Sequence, residues 1–518
     1  MKKIITLSFF AVIFSFSTLA TSADHTQHLP DAVKNIMRQA RYNTANWSIY
    51  VKDLATQEVP YRQNTTGMFI PASVCKLFSV AALLQTFGDD YTFQTPVYLL
   101  GKMDADGVLN GDLVLVAKGD LTLGGRHLTN NTIAYTDVDH IDANHVPGAT
   151  LTTPDPLAGI KSLAKQIHAQ GIKAIKGNIL IDTRLFDIVK KRENVISPIM
   201  INDNLIDIEV TPAELDKTAT LNWRPQLSSL RVINKVVTVP AGQESNLAIS
   251  ANEAGNEITV TGRIALDQKN IVNTFTIENP EHFAEVALLD ALQHEGIQVK
   301  PTRTQVSLPD PKIYSQLKPV ATITSEPMLE YAKLILKVSH NLGANLVPLL
   351  LASYHGQTSD AEGMRYIGKF ITDTAHIDPA QITFGDAAGG NDNYATPEAI
   401  MQLLTYDYKV PPAQFEKTIY TLPILGVDGS LASLAKQTPA KGHVYAKTGT
   451  GIIYNALQGS LFLSSKSIAG YMLLNNHHWV AFSIIVNGSV VKDIAEVLAV
   501  NDDIAKITSE IYATLNKA

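Results

Sequence analysis

The stretch FIPASVCKLFSVAALLQTF, residues 69–87, places a serine and a lysine three positions apart at the start of an apolar run with helical spacing. Residues three apart share a face of a helix, so Lys76 can direct its amine at the hydroxyl of Ser73. A serine hydroxyl is a weak nucleophile that needs such a base. Cys75, the only cysteine of the chain, is the alternative nucleophile. A helix cap beside a solvated lysine is a third interpretation, and these residues alone leave it open.

Two later motifs add groups of the kinds that acyl transfer requires. KVSHNLGAN places Ser339 and Asn341 just after an amphipathic helix, where a loop can present a hydroxyl and an amide to a cleft. VYAKTGTG places Lys447, Thr448 and Gly449 on a predicted strand. The glycine allows a substrate backbone to lie against the strand edge, while the lysine and threonine can receive a carboxylate. The three motifs together favour a nucleophilic Ser73.

In this order, S-x-x-K, S-x-N and K-T-G resemble the signature of penicillin-binding proteins and serine β-lactamases. The first two motifs are 266 residues apart and the last two are 108 residues apart. The long first interval is similar to that of the class C low-molecular-mass penicillin-binding proteins, the D-alanyl-D-alanine carboxypeptidase/endopeptidase family. Other segments extend the resemblance over nearly the whole mature chain, among them LNGDLVLVAKGDLTL, INDNLIDIEVTPAE and DAAGGNDNYATPEAIMQLL.

The resemblance implies a two-step acyl transfer on peptidoglycan stem peptides. Ser73 would attack the carbonyl between two D-alanines, with Lys76 as its general base. Ser339 would pass a proton to the departing amine, and Asn341 would hold the substrate amide. Lys447 would supply positive charge and keep the base deprotonated.

The K-T-G strand would complete the site. Backbone N–H groups of Ser73 and Thr450 would form an oxyanion hole, and Thr448 would donate to the substrate carboxylate beside Gly449. β-Lactam antibiotics would acylate the same serine, and the resemblance implies no metal and no organic cofactor. Cys75 is then predicted to point away from the shared Ser–Lys face and to pack as a small buried residue.

Three features depart from the family pattern. DAAGGNDN replaces a more usual D-G-S-G-L-S-type segment, which would reshape the rim of the cleft near Asp386. The middle residue of the second motif is His340, whose side chain is predicted to point away from the cleft. The segment after DTRLFD lacks tryptophan and is basic, so the side-chain preference of the stem peptide stays open. Apart from the family pattern, the polar run TDVDHIDANH, Thr136 to His145, could gather ligands for a divalent cation, but a solvated loop is the preferred interpretation.

Composition and the N-terminus narrow the class of protein. A net charge of −7 over 518 residues argues against nucleic-acid binding. Lys2 and Lys3 precede an apolar run and a small-residue site, which predicts a signal peptide over residues 1–23, with a retained anchor as the alternative. No later apolar run is long enough to span a membrane. We therefore expect a periplasmic product.

Together these patterns predict an α/β (α+β) multidomain fold. A transpeptidase domain like that of penicillin-binding proteins and serine β-lactamases, an antiparallel sheet flanked by helices, would comprise residues 24–95 and 313–518. A long α+β insertion, residues 96–312, would interrupt it. The rival functions are a serine β-lactamase or esterase and a catalytically silent wall-binding scaffold. The balance of carboxypeptidase and endopeptidase activity, the oligomeric state and loose membrane association stay open.

Overall fold

A computed structural model describes residues 27–302 and 307–517, and the predicted signal peptide lies outside the described residues. The helices are α1 Asp31–Met37, α2 Lys76–Phe87, α3 Ala158–Ala169, α4 Pro280–His294, α5 Met328–Lys337, α6 Asn341–Tyr354, α7 Asp360–Lys369, α8 Pro397–Lys409, α9 Pro412–Thr421 and α10 Ile494–Leu515. The strands of the first part of the chain are β1 Asn46–Asp53, β2 Tyr61–Gln63, β3 Gln94–Met103, β4 Val108–Val116, β5 Ala174–Lys176, β6 Ile179–Asp182, β7 Val189–Lys191, β8 Asn194–Ile196, β9 Leu205–Thr211, β10 Thr220–Arg224 and β11 Arg231–Val239. Those of the second part are β12 Asn246–Ala251, β13 Glu257–Ala265, β14 Ile271–Thr276, β15 Gln298–Lys300, β16 Ala321–Thr324, β17 Ile382–Thr383, β18 Tyr394–Ala395, β19 Val444–Asn455, β20 Ser460–Leu473, β21 Trp479–Asn487 and β22 Ser489–Val491.

The main sheet joins strands from both ends of the chain. Its order is β19-β20-β21-β1-β2, with β22 beside β20, and all of its pairings are antiparallel. One face packs on α1 and α10, and the other packs on the apolar cluster that includes α2, α5, α6 and α8. Most of β20 is buried, as expected for a strand covered on both faces. Strand β19 forms one edge of this sheet.

The intervening chain contributes most of three further sheets, which pack around two apolar clusters, and the two-stranded hairpin of β7 and β8. The first has the order β15-β5-β4-β3-β16, with β6 beside β4, and α3 and α4 pack against it. The sheets β10-β9-β14 and β11-β13-β12 share another apolar cluster. Strands and helices therefore mix in each part of the chain, and the predicted α+β class is confirmed. The division into residues 24–95, 96–312 and 313–518 stays a prediction.

The structure corrects one detail of the decisive stretch. Ser73 and Cys75 lie in a 3-10 turn, Ala72–Cys75, and the α-helix itself begins at Lys76. Ala72 has φ 45°, outside the right-handed helical region, so a regular helix cannot extend back through it. The turn abuts β19, which places the start of α2 against the edge of the main sheet.

Candidate active site

The Ser73 hydroxyl and the Lys76 amine are in direct contact at the start of α2. Lys76 Nζ lies 2.7 Å from Ser73 Oγ, 2.8 Å from Asn341 Oδ1 and 2.7 Å from the carbonyl oxygen of Ala388. The lysine is fully buried, and burial lowers its pKa to about 8. A neutral amine has two N–H donors and one lone pair. It can therefore donate to both carbonyl oxygens while accepting the serine proton.

The Ala388 carbonyl is held by the loop that follows β17. Asp386 Oδ1 accepts hydrogen bonds from the backbone N–H groups of Ala388, Gly389 and Gly390, at 2.9, 2.7 and 3.0 Å. The Asn393 side chain accepts from the N–H of Asp386 and donates to its carbonyl. The DAAGGNDN segment, read from sequence only as a cleft rim, thus supplies a third partner for Lys76. A backbone carbonyl leaves no residue-type signal that could have revealed it.

Ser339 and Lys447 form a second hydroxyl–amine pair. Lys447 Nζ donates to Ser339 Oγ at 2.9 Å and to the carbonyl of Thr448 at 2.6 Å. Ser339 lies between α5 and α6 with φ 61°, and Asn341 is the first residue of α6. Burial, followed by the charge of Lys76, lowers the pKa of Lys447 well below its ordinary value. Repulsion between the buried amines of Lys76 and Lys447 disfavours a state in which both are charged.

The K-T-G residues lie on β19 as predicted. A methyl group on Gly449 would lie 2.6 Å from the carbonyl oxygen of Pro71 and 2.9 Å from the backbone nitrogen of Ser73. Only a residue without Cβ therefore lets the strand come this close to the nucleophile turn. Thr448 Oγ1 lies 3.0 Å from the hydroxyl oxygen of Ser430. Thr450 is exposed and accepts a hydrogen bond from a lysine of β20.

Cys75 is not available as a nucleophile in this arrangement. Its side chain is 1% exposed, and Sγ lies 3.6 Å from the carbonyl oxygen of Ala387. Burial raises the pKa of the thiol to about 12, which leaves almost no thiolate at neutral pH. The prediction of a small packed residue is confirmed.

His340 points away from the two lysines, as predicted. It is fully buried, and Nδ1 accepts a hydrogen bond from the N–H of Gly343 at 3.0 Å, which caps α6. Nε2 lies 3.2 Å from Asp203 Oδ1, within ion-pair distance but without hydrogen-bond alignment. The side chain thereby connects the second motif to the strand-rich region before it.

The expectation of a solvated loop at Thr136 to His145 is wrong for its centre. Asp139 and His140 are buried, and Arg126 donates to both oxygens of Asp139 at 2.8 Å. His140 Nε2 lies 2.8 Å from Asp203 Oδ2, which also accepts from Arg126 at 2.7 Å. Burying these charges is tolerable because each has an opposite partner. A run of polar residues in the sequence does not distinguish a buried ion-pair network from a surface loop.

Two further charged groups, Arg192 and Asp142, lie near Lys76. Arg192, in the basic hairpin between β7 and β8, is exposed, and its guanidinium lies 3.5 Å from the position of a methyl group on Gly390. Burial raises the pKa of Asp142, and the charge of Lys76 opposes that shift. The basic segment noted in the sequence therefore reaches the rim of the cleft.

Among the described residues, no group of three or more His, Cys, Asp or Glu side chains is arranged to hold a metal ion. Nor does any helix of residues 27–302 and 307–517 combine the length and apolar composition that a membrane crossing requires.

An antiparallel sheet flanked by helices, with a Ser–Lys pair, a second serine and a K-T-G lysine around one cleft, defines the class of active-site serine enzymes that recognise penicillin. Residues 29–511 match the D-Ala-D-Ala carboxypeptidase 3 (S13) family, and the chain belongs to that family. The predicted family and enzyme class, a serine-type D-alanyl-D-alanine carboxypeptidase, are confirmed.

Individual relatives agree with this assignment. The chain is 25% identical over 497 residues to a D-alanyl-D-alanine carboxypeptidase of Actinomadura sp. (strain R39), covering 90% of this chain and 84% of the relative. It is 22% identical over 524 residues to D-alanyl-D-alanine carboxypeptidase DacB of Haemophilus influenzae, covering 94% of each. The crystal structure of penicillin binding protein 4 from H. influenzae superposes with a TM-score of 0.68 at 19% identity, covering 93% of this chain and 99% of that one. This likeness confirms the predicted fold.

Proposed function

We propose that the protein is a periplasmic serine DD-peptidase that acts on peptidoglycan stem peptides through an acyl-enzyme on Ser73. It would release terminal D-alanine, cleave D-alanyl–diaminopimelate cross-links, or do both. The observation that carries the proposal is the 2.7 Å contact between Ser73 Oγ and the buried amine of Lys76, whose pKa is about 8. A base of that pKa is partly neutral at the pH of the periplasm and can accept the serine proton.

Acylation begins when the Ser73 proton moves to the lone pair of Lys76 Nζ and Ser73 Oγ bonds to the substrate carbonyl carbon. The charge that develops on the carbonyl oxygen would be held by backbone N–H groups of Ser73 and Thr450. The intermediate collapses when the C–N bond breaks. Ser339, hydrogen-bonded to Lys447 Nζ at 2.9 Å, would pass its proton to the departing amine. It would then take up the proton that Lys76 received from Ser73, so that Lys76 is neutral again before deacylation. The side-chain oxygen of Asn341 accepts a hydrogen bond from Lys76, and its side-chain NH2 group would bind the substrate amide.

Deacylation reverses these roles. Water attacks the ester carbon and gives its proton to Lys76, and the serine oxygen leaves and recovers a proton from the same amine. The products are the shortened stem peptide and free Ser73. During acylation, Thr448 and Lys447 would hold the carboxylate of the leaving group at the edge of β19 beside Gly449. No step calls for a metal or an organic cofactor.

A β-lactam would enter the same route, because its strained amide and carboxylate resemble the D-alanyl-D-alanine end. We therefore expect stable acylation of Ser73 by penicillin. A serine β-lactamase would instead release the acyl group rapidly, and a silent wall-binding scaffold would form no acyl-enzyme. These rivals differ in observable chemistry.

The experiment compares the wild type, Ser73→Ala and Cys75→Ala. Each is incubated with fluorescent penicillin, then with purified pentapeptide monomers and cross-linked dimers. We expect label and peptide cleavage from the wild type and from Cys75→Ala, and neither from Ser73→Ala. Absence of both label and cleavage in the wild type would refute the peptidase. Rapid turnover of penicillin without peptide cleavage would assign the β-lactamase. The ratio of monomer to dimer cleavage measures the balance of the two peptidase activities.

A further inference from the structure

Strand β20 carries a buried lysine that the steps above do not use. The Lys466 side chain is buried, with the residue 4% exposed. Its amine donates a 2.7 Å hydrogen bond to Thr450 Oγ1, and among the described residues no carboxylate forms an ion pair with it. Thr450 itself is exposed. The hydroxyl of Thr450, on the K-T-G strand, therefore lies between the buried amine of Lys466 and solvent.

The register of the main sheet places this lysine on the carboxylate-binding side of β19. Lys466 is the direct cross-strand partner of Thr450, and such partners share a face. Thr448, two residues before Thr450, lies on the same face because side chains alternate along a strand. Lys447, the residue before Thr448, lies on the opposite face and contacts Ser339. One ammonium and two hydroxyls thus converge along one side of the strand edge.

A lysine in this position is costly for the free enzyme. Burial of an amine without an opposite charge disfavours its protonated form, and burial lowers the pKa of Lys466 to about 7. The charge of Lys466 also disfavours the charge of Lys447. An apolar residue would avoid both effects. The arrangement is favourable when an anion binds beside Thr450 and restores the missing partner.

We propose that Lys466 determines specificity for the leaving group: with the hydroxyls of Thr448 and Thr450 it binds the free carboxylate on the carbon that carries the scissile amine. The Thr450 hydroxyl accepts from Lys466, which leaves its own hydrogen free to donate to that carboxylate. The inference rests on the proposed peptidase function and names the group that function must recognise. Terminal D-alanine and the D-centre of a cross-linking diaminopimelate both carry such a carboxylate. Lys466 therefore accepts both leaving groups and disfavours those in which this carboxylate is amidated.

The test uses two peptides that differ only at this group: a tripeptide ending in D-Ala-D-Ala as the free acid, and its C-terminal carboxamide. The wild type, Lys466→Met and Lys466→Arg are compared by kcat and KM on both peptides. The wild type should prefer the acid. In Lys466→Met the ratio of kcat/KM for acid over carboxamide should fall at least about tenfold, because the positive charge behind the Thr450 hydroxyl is lost. The fall should lie mainly in KM, and Lys466→Arg should keep most of the preference.

Controls separate this role from a structural one. Lys52 is a partly buried lysine on β1 of the same sheet, and Lys52→Met should keep the wild-type ratio. Lys466→Gln, which can still donate to Thr450 but has no charge, repeats the test if the methionine variant unfolds on heating at lower temperature than the wild type. An equal loss on both peptides, or an unchanged ratio, would overturn the assignment of Lys466. A wild type that cleaves neither peptide would instead overturn the proposed function.

Discussion

Replacing Gly389 with alanine should disable the site without touching any of its side chains. Gly389 has φ 104°, a conformation that residues with a Cβ rarely adopt. Its missing Cβ would lie 2.3 Å from the carbonyl carbon and oxygen of Ala72 and 2.7 Å from the backbone nitrogen of Ser73. Ordinary contacts of this kind are 3.4–4 Å. The loop or the nucleophile turn must therefore move by about 1 Å to restore normal contact.

Such a displacement affects the Ala388 carbonyl and the Ser73 hydroxyl, both of which contact the Lys76 amine. The Ala388 carbonyl, which precedes Gly389, would move relative to Lys76, and Ser73 would move relative to both. A misplacement of about 1 Å costs roughly a hundredfold in rate. The strained backbone should lower the free energy of unfolding by about 1–3 kcal/mol. The expected signature is a large loss of acylation with a modest loss of stability.

The assay is the second-order rate of labelling by fluorescent penicillin, with the unfolding temperature measured on the same samples. Gly368→Ala is the matched control, because Gly368 lies in α7 with no atom within 4 Å of its missing Cβ. That variant should label at the wild-type rate and be more stable by up to about 1 kcal/mol, since alanine favours helix over glycine. A Gly389→Ala protein that labels within about threefold of the wild type would refute the geometric argument.

Three more predictions concern buried charges. Because burial lowers the pKa of Lys76 to about 8, the rate of penicillin acylation should rise as the pH increases through about 8; a flat profile would contradict its role as base. Arg126→Met should lower the free energy of unfolding in urea by roughly 3–5 kcal/mol, because it removes the guanidinium that pairs with both buried carboxylates, Asp139 and Asp203; a change below about 1 kcal/mol would refute their dependence on it. Burial raises the pKa of Asp407 from 3.8 to about 7, so this group costs stability as the pH rises from about 4 to 7. Asp407→Asn should therefore raise the unfolding temperature more at about pH 8 than at about pH 4, and an equal effect at both would contradict the shift.

The sequence predicted those parts of the site that motifs encode by residue type. Ser73, Lys76 and Asn341 converge although 265 residues separate the last two, and Lys447 meets Ser339 across 108 residues. Local spacing did not establish these contacts. They were expected because the three motifs occur together in a known family. Helices α3 and α4 can also be predicted from sequence, because GIKSLAKQIHAQGI, residues 159–172, and EHFAEVALLDALQHEGI, residues 281–297, combine apolar spacing with glycine stops, which are local signals.

What the sequence did not predict depends on partners distant along the chain or on backbone atoms. The Ala388 carbonyl contacts Lys76 only because Asp386 folds its loop inward. In the sequence, Arg126 and Asp139 resemble surface residues. The fold brings Asp203, 77 residues after the arginine, into contact with Arg126. A polar residue carries no mark of whether its counter-charge will be buried beside it.

The three buried lysines of the cleft have to be considered together. In the proposed mechanism Lys76 must be neutral to accept the serine proton, whereas Lys447 and Lys466 bind the carboxylate of the leaving group only when charged. Each pKa is lowered by burial, and the charges of Lys76 and Lys466 both disfavour a charge on Lys447. A carboxylate bound beside Thr448 would favour protons on Lys447 and Lys466, and the positive charge of Lys447 would in turn disfavour a proton on Lys76. It follows from the proposed carboxylate site that the correct leaving group helps to create the base that attacks its own amide. Replacing Lys447 with methionine should therefore change kcat as well as KM.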